Sequence, residues 1–493
     1  MLLEVSLSLF VIYLLSFIIQ TFLDKRKFPP GPFPLPIIGS MHQIGTFPPF
    51  TMLELCKKYP DVLTVSTPIG KIVFVNSSEA AREALLTRKT DFAGRPSEQL
   101  YPLTVILDNK DILTTDYGKT FTFRSRVFNK SMHLFNEGPK IVERRLHKTI
   151  SMLFADLNKK LNKPFNLMTF IFTTNVAQLW EWLSSEQVTN DAARSRKVVK
   201  FIDDVAELTS VGSVYQFIPL LRVLPSEYKR KINTIIKARD ELFGGVLDYH
   251  KRTYQSGVVR DITDAMLSAF FKEEDDGKHI GQYKDIMFLM MDVMIAGVDT
   301  SNAAIAWFIL HIVLSKEIQT KMQEEFDRCF EKDSFPSMED ITKCHYFNAV
   351  VCEVMRKSGT APLLAPHRTI RDTSIMGYKI PKNTTVLVNN HGVKHDPIAW
   401  KNPDVFRPER FQDENGKFVG WNTHPAFLPF GLGRRACPGK DLGKCQVLIT
   451  LACLLHRYSI KLDENQPRPK TTEFVRKGTP TPKDFNVIVT KRC

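Results

Sequence analysis

The sequence predicts a mainly α fold, a large helical domain with small β-sheets, behind an N-terminal transmembrane helix. Three observations predict it. Apolar residues recur at helical period through most of the 493 residues. Strand-like stretches are confined to 62–75 (VLTVSTPIGKIVFV), 375–388 and 485–490 (FNVIVT), and the chain opens on an apolar run. With 43% apolar residues and 11% aromatics, such a chain buries a large core. It carries no internal repeat, low-complexity segment or interdomain linker.

Residues 2–23, LLEVSLSLFVIYLLSFIIQTFL, would form roughly 33 Å of helix, enough to cross a bilayer. A cleaved signal peptide is the alternative, but the basic leading region and small-residue cleavage site it needs are not visible. The basic flank, Asp24-Lys25-Arg26-Lys27, lies on the C-terminal side, which places the remaining chain in the cytosol by the positive-inside rule. Next, FPPGPFPLP at 28–36 is too rich in proline for a helix or central strand. It reads as a stiff strut whose apolar residues pack on the body, with a flexible linker as the alternative. The expected division is an anchor at 1–27, a proline-rich hinge at 28–44 and one domain at 45–493.

Eight cysteines form no CxxC pair and no His/Cys cluster, which excludes a disulfide framework or zinc ribbon and points to a reducing compartment. The net charge of +14 leaves two readings, a solvated surface or a dock for an acidic partner. Nucleic-acid binding would need a basic cluster with groove-reading or aromatic elements, and none is found.

The helix expected at 286–314 (IMFLMMDVMIAGVDTSNAAIAWFILHIVL) is apolar nearly all round, as in a helix running through a core. A second membrane span is the rival reading; Asp292, Asp299, Thr300, Ser301 and Asn302 at its middle would be costly in lipid. In Ala296-Gly297-Val298-Asp299-Thr300-Ser301, Gly297 lets something large approach the backbone. Thr300 can bond back to the carbonyl four residues earlier or turn its hydroxyl into a cavity. Asp299 and Thr300 together suit a proton relay or a satisfied hydrogen-bond network.

Cys437 lies in FLPFGLGRRACPGK at 427–440, ahead of an amphipathic helix starting at Lys440. Positive charge and backbone N–H groups, brought together by a turn that Gly431, Gly433 and Gly439 permit, would favour its thiolate. A redox nucleophile, an inert turn cysteine and a soft-metal ligand all fit this setting.

The pattern Phe430-Gly431-x-Gly433-x-Arg435-x-Cys437-x-Gly439 resembles the haem-binding loop of the cytochrome P-450 family. Glu353-Val354-Met355-Arg356 resembles that family's Glu-x-x-Arg helix, and Phe406-Arg407-Pro408-Glu409-Arg410-Phe411 its PERF segment. Residues 296–301 resemble its oxygen-activation motif and Pro29-Pro30-Gly31-Pro32 its microsomal hinge. The resemblance covers essentially the whole chain. Asp91 to Pro96 and Asp116-Tyr117-Gly118 look most like the animal microsomal branch with steroid 17α-hydroxylases and xenobiotic-metabolising members.

The resemblance implies the cytochrome P-450 fold and heme b (iron protoporphyrin IX), with Cys437 as the metal ligand and Ala296 against the haem. It implies Asp299 and Thr300 as proton donors in dioxygen activation, and Arg95, Arg126, His367 and Arg435 on the propionates. Glu353, Arg356 and Arg410 would form a structural ion triad. The family's Trp with an Arg four residues later is missing from 117–126; Arg126 is the preferred equivalent and Arg124 the second. Lys357-Ser358-Gly359-Thr360 replaces the family's Arg- and Pro-containing stretch ahead of Ala361 to Ala365, which should line the pocket.

The implied activity is a monooxygenase inserting one oxygen atom of O2 into a steroid, fatty acid or xenobiotic. NADPH-cytochrome reductase is the implied electron donor, and cytochrome b5 a second candidate. The docking face would carry Lys119, Arg124, Arg126, Lys130, Lys140, Arg144, Arg145, Lys148, Lys440 and Lys444. Val214 to Leu224 would dip into the membrane of the endoplasmic reticulum or else join the core. An O2-independent haem-thiolate isomerase or synthase and a non-catalytic haem or sterol binder are the alternatives. The intact Asp299–Thr300 pair favours the oxygenase.

Overall fold

Helices follow wherever the apolar period runs without proline, and strands where β-branched residues alternate. The structure is a computed structural model and describes residues 2–24, 26–45, 48–135, 139–186, 192–209, 214–277, 280–475 and 479–492. Lys25 and Cys493 lie outside the described residues, as do the side chains of Glu4, Lys140, Val214 and Phe217.

Helix α1 (Leu2–Asp24) leaves Leu9, Ile12 and Ile19 at 62%, 61% and 59% exposure. No core receives them, as in a helix whose solvent is lipid. Its end is fastened to the body by an ion pair of 2.9 Å between Asp24 and Lys71.

Four strands make the largest sheet: β1 (Val62–Thr67), β2 (Gly70–Val75), β3 (His367–Arg368) and β4 (Thr385–Val388), in the order β1-β2-β4-β3. β2 and β4 run parallel, pairing Ile72 with Thr385, and the other neighbours are antiparallel. The proline strut covers the open edge of β1. The Thr64 N–H donates to the Pro30 carbonyl at 2.9 Å and the Ser40 N–H to the Ser66 carbonyl at 2.7 Å. A Cβ at Gly31 would stand 1.9 Å from the Thr64 oxygen, so only glycine lets the strut approach. The strut is thus packed on the body.

The stretch expected at 375–388 divides in two. A hairpin, Thr373–Ile375 with Tyr378–Ile380, turns at Met376 and Gly377, both at positive φ, and β4 follows separately. The C-terminal strand, Val487–Lys491, pairs with Tyr458–Leu462.

Six further helices position the chemistry: α2 (Lys119–Phe135), α3 (Leu167–Ser184), α4 (Ile286–Leu314), α5 (Lys316–Cys329), α6 (His345–Lys357) and α7 (Lys440–Arg457). α4 has the bounds its composition predicts. Its apolar window is 72% buried inside the protein, packed on α3, α6 and α7, so it is a core helix and not a second span. Within 214–224 the reading divides: Tyr215 packs against the core, whereas Leu220, Val223 and Leu224 are exposed.

α6 carries a fully buried ion network. Arg356 donates twice to Glu353, at 2.7 and 2.8 Å, and Arg410 Nε lies 3.4 Å from the same carboxylate. The Arg407 N–H adds a bond of 2.9 Å. Arg356 also donates to the carbonyls of Lys394 and Pro403, tying α6 to the segment ahead of the cysteine loop. Breaking such a network strands charge in a low-dielectric interior. Glu353→Gln should therefore destabilise the protein by about 3–5 kcal/mol, read as a lower denaturant midpoint at unchanged slope.

Burial, aided by the charges of Lys357 and Arg356, lowers His311 on α4 from 6.5 to about 3. Below pH 6.5 the unfolded chain takes up a proton that folded His311 refuses, so stability falls with pH from there towards 3. His311→Gln should flatten that loss by about 1.4 kcal/mol per pH unit, measured by urea unfolding between pH 7.5 and 5.

Candidate active site

The cysteine loop is shaped by two glycines in the left-handed region, Gly431 at φ 64° and Gly433 at φ 70°. At Gly433 a Cβ would also lie 1.8 Å from the Leu85 carbonyl oxygen, so the loop rests directly on that backbone. The Cys437 N–H donates to the Phe430 carbonyl at 2.8 Å. Its sulfur is bonded by the Gly439 N–H, whereas the Gly431 N–H goes to the Leu428 carbonyl. The glycines thus divide the labour instead of all converging on sulfur. Burial raises the Cys437 thiol above its ordinary value, against the pull of the Gly439 N–H. The loop alone does not favour a thiolate, contrary to the sequence-based expectation; a bound metal cation would. The side chain is open to a cleft of about 390 Å³ lined by Asn129, Met132, His133 and Lys440.

Two residues before the cysteine, Arg435 donates to the carbonyls of Ala93 (2.7 Å), Ile112 (3.0 Å) and Thr115 (2.8 Å). Its guanidinium sits 3.6 Å over the Phe121 ring. Arg95 is buried and donates to the carbonyls of Leu113 (2.9 Å) and Pro366 (2.7 Å). The buried His367 ring places Nδ1 2.8 Å from the Phe92 carbonyl. These three side chains act on one another electrostatically. Burial, then the neighbouring cations, lowers His367 to about 3, and burial lowers Arg435 to about 8 and Arg95 to about 10. The cluster is short of negative charge, and its nearest acids, Asp111 and Asp116, do not restore the guanidinium values. Two carboxylates would match this donor set.

Arg126 is not brought to this cluster. It is partly exposed and pairs with Glu273 at 2.9 Å, beside Lys130. Arg124 turns inward instead, donating to the Asn109 carbonyl (2.7 Å) and Thr115 Oγ1 (2.8 Å). Phe121 is the residue that sequence reasoning missed. Its signal was an aromatic in the first turn of α2, where the family's tryptophan was sought. The expected docking face is also reduced, because Arg124 is buried and Arg126, Lys130 and Lys148 are paired.

Along α4, Ala296 and Thr300 are exposed although Val298, Ser301 and Asn302 between and beside them are buried. This face of a core helix therefore borders an opening. Thr300 Oγ1 donates to the Ala296 carbonyl at 2.6 Å, the back-bond that loosens a helical turn, and Asp299 is half-buried beside it. Gly297 serves a different need from the one expected: a Cβ there would meet Leu179 of α3 at 3.0 Å, so the close approach is by a helix.

Ser301 and Asn302 face away into buried amides. Asn175 donates to Asn302 (2.8 Å), Ser301 to Gln446 (3.0 Å) and Gln446 to Gln178 (3.0 Å). These bonds lock α4 to α3 and to α7, the helix that follows Cys437. Asp292 accepts the Ile112 N–H at 2.8 Å, and burial with Asp111 nearby holds its carboxyl well above the usual range. The 109–115 segment is thus gripped from the cysteine loop, from α2 and from α4. Leu364 of the expected pocket-lining stretch lies against the Gly431 turn.

A sequence model of the family Cytochrome P450 matches residues 29–487. A steroid 17-alpha-hydroxylase/17,20 lyase of Ictalurus punctatus is 30% identical over 92% of this chain and 89% of its own. Cytochrome P450 1A1 of Cavia porcellus is 30% identical over 87% and 85%. A zebra fish cytochrome P450 structure with progesterone superposes with a TM-score of 0.80 over 90% of this chain and 99% of that one, at 24% identity. With a glycine-turned cysteine loop, a buried cationic cluster and an opened core helix in one such fold, the chain belongs to the cytochrome P450 family, haem-thiolate monooxygenases that bind protoporphyrin IX haem.

Proposed function

We propose that this chain is a membrane-anchored monooxygenase that inserts one oxygen atom of O2 into a lipophilic small molecule, a steroid being the first class to test. The observation that carries the reading is the opened face of α4, where Thr300 and Asp299 stand beside Ala296. An isomerase or synthase that consumes no dioxygen has no need of such a pair.

Bound haem supplies the dioxygen chemistry. Cys437 Sγ would be the ligand donor, and the Gly439 N–H, bonded to the sulfur, would moderate its electron donation. Arg95 and Arg435 would offer the propionates further guanidinium N–H donors while keeping their backbone carbonyl partners. His367, held neutral by burial, donates its one N–H to the Phe92 carbonyl, so its Nε2 would donate to a propionate only in the protonated ring. Arg124 stands closer to this group than Arg126, through the Thr115 it shares with Arg435. Thr300 holds a proton at Oγ1, spent on the Ala296 carbonyl at rest; rotating away from that carbonyl presents it to the opening, and Asp299 resupplies it. Ala296 keeps that face short.

Residues 1–27 form the anchor, 28–44 the hinge and 45–493 the catalytic domain, with the domain on the cytosolic side of the endoplasmic reticulum. The exposed Leu220, Val223 and Leu224 add an apolar contact with the bilayer, a route for lipophilic substrates. The electron donor is an acidic flavoprotein, NADPH-cytochrome reductase, with cytochrome b5 as a second donor. It docks near Lys440, Lys119 and Arg144, which remain exposed.

The test is NADPH-dependent turnover with purified reductase on steroids, fatty acids and aromatic drugs, read by mass spectrometry. A product heavier by one oxygen atom is expected, and an unchanged panel would overturn the oxygenase reading. Thr300→Ala should retain haem and lower product formed per NADPH by on the order of 10²-fold. Cys437→Ser should abolish the red-shifted Soret band of the reduced, carbon-monoxide-treated protein.

A further inference from the structure

Helix α5 ends against the start of α6, and one face of α5 makes the junction. Both carboxylate oxygens of Glu325 accept N–H groups from α6, those of Tyr346 and Phe347, each at 2.8 Å. An α5 side chain thus caps the positive end of α6. One turn later on the same face, Cys329 places its sulfur 3.9 Å from the Lys343 carbonyl oxygen. Cys344 follows directly, as the residue just ahead of α6. It is fully buried, with its sulfur 3.7 Å from the Asp340 carbonyl oxygen. The carbonyl that Cys329 reaches belongs to the residue directly before Cys344, and the two thiols act on one another electrostatically. Cys329 is only half-buried, so one sulfur of the pair reaches solvent. None of the chemistry derived above uses either.

We propose that Cys329 and Cys344 are a peroxide-reactive thiol pair that closes to an intramolecular disulfide. The Cys329 thiolate attacks one oxygen of a hydroperoxide; the O–O bond breaks, Cys329 becomes a sulfenic acid, and the departing oxygen takes a proton. Cys344 sulfur then attacks the sulfenic sulfur; the S–O bond breaks, and water leaves with the Cys344 proton. Two thiols lose two electrons and two protons, and hydrogen peroxide becomes two waters.

Access sets the order. Cys329 meets the oxidant, while burial, reinforced by Cys329 itself and by Glu325 and Asp340, pushes the Cys344 thiol up and keeps it as the resolving partner. Cys56, Cys352, Cys445 and Cys453 are also pushed up by burial, and among the described residues no second thiol acts on any of them. In a reducing compartment such a bond is transient and reports oxidant. It would fasten α5 to the helix that carries Glu353 and Arg356.

The test treats full-length holoprotein with graded hydrogen peroxide, alkylates it, digests it without reduction and maps the peptides by mass spectrometry. A peptide joining Cys329 to Cys344, two hydrogens lighter than its separate halves and lost on reduction, should appear while the thiolate Soret band persists. Cys344→Ser should leave Cys329 as a sulfenic acid that dimedone traps. Recovery of both cysteines unlinked from oxidised wild type, or of Cys329 joined to a different cysteine, overturns the proposal. The wild-type map decides it even if the variant does not fold.

Discussion

One guanidinium, spread over three backbone carbonyls, holds the site in register. Arg435 is two residues from Cys437, yet its partners are Ala93, Ile112 and Thr115, so the cysteine loop cannot move independently of the segment between the sheet and α2. That segment is bonded in turn to Asp292 on α4, and α4 is locked by buried amides to α7, the helix leading away from the cysteine. The circuit closes on itself. Ligand loop, cationic cluster and opened helix face keep their relation because each is a partner of the next.

The circuit is costly to assemble, and its cost indicates what it is for. Arg95 and Arg435 are removed from water with only neutral oxygens as partners, and burial depresses both. Interiors tolerate such groups poorly without countercharge. In the function proposed, a porphyrin's carboxylates would be that countercharge, and its metal would favour the Cys437 thiolate. On that proposal, folding and cofactor binding would be coupled through the same residues. The ion network of Glu353 solves the opposite problem: its charges are matched within the protein, and it serves as a rigid joint between α6 and the segment leading to the cysteine loop.

Much of this was legible without coordinates. The strut, the bounds of α4 and the helix after Cys437 follow from proline density and apolar period, which are local properties. The pairing of Val487–Lys491 with Tyr458–Leu462 was not, because strand partners are chosen by the whole chain. The split of 375–388 was hidden in the same way: the turn at Met376-Gly377 separates two strands that go to different sheets. Glu353 and Arg356, three residues apart, look by spacing alone like an ordinary surface helix pair; only the family resemblance implied a buried triad, and packing leaves both fully buried.

By itself the sequence determined the class of fold, the glycine-turned loop that bears Cys437 and the acid–alcohol pair on the core helix, since these depend on residue types at short, rigid spacings. Only the tertiary structure decided where side chains point. Arg124 and Arg126 differ by two positions, which is roughly 200° of helical rotation; one enters the site and the other meets Glu273 at the surface. Gly297 answers to Leu179, Phe121 to Arg435 and Cys329 to Cys344. Each pair lies on separate elements, and direction between elements is set by packing, which no local pattern encodes.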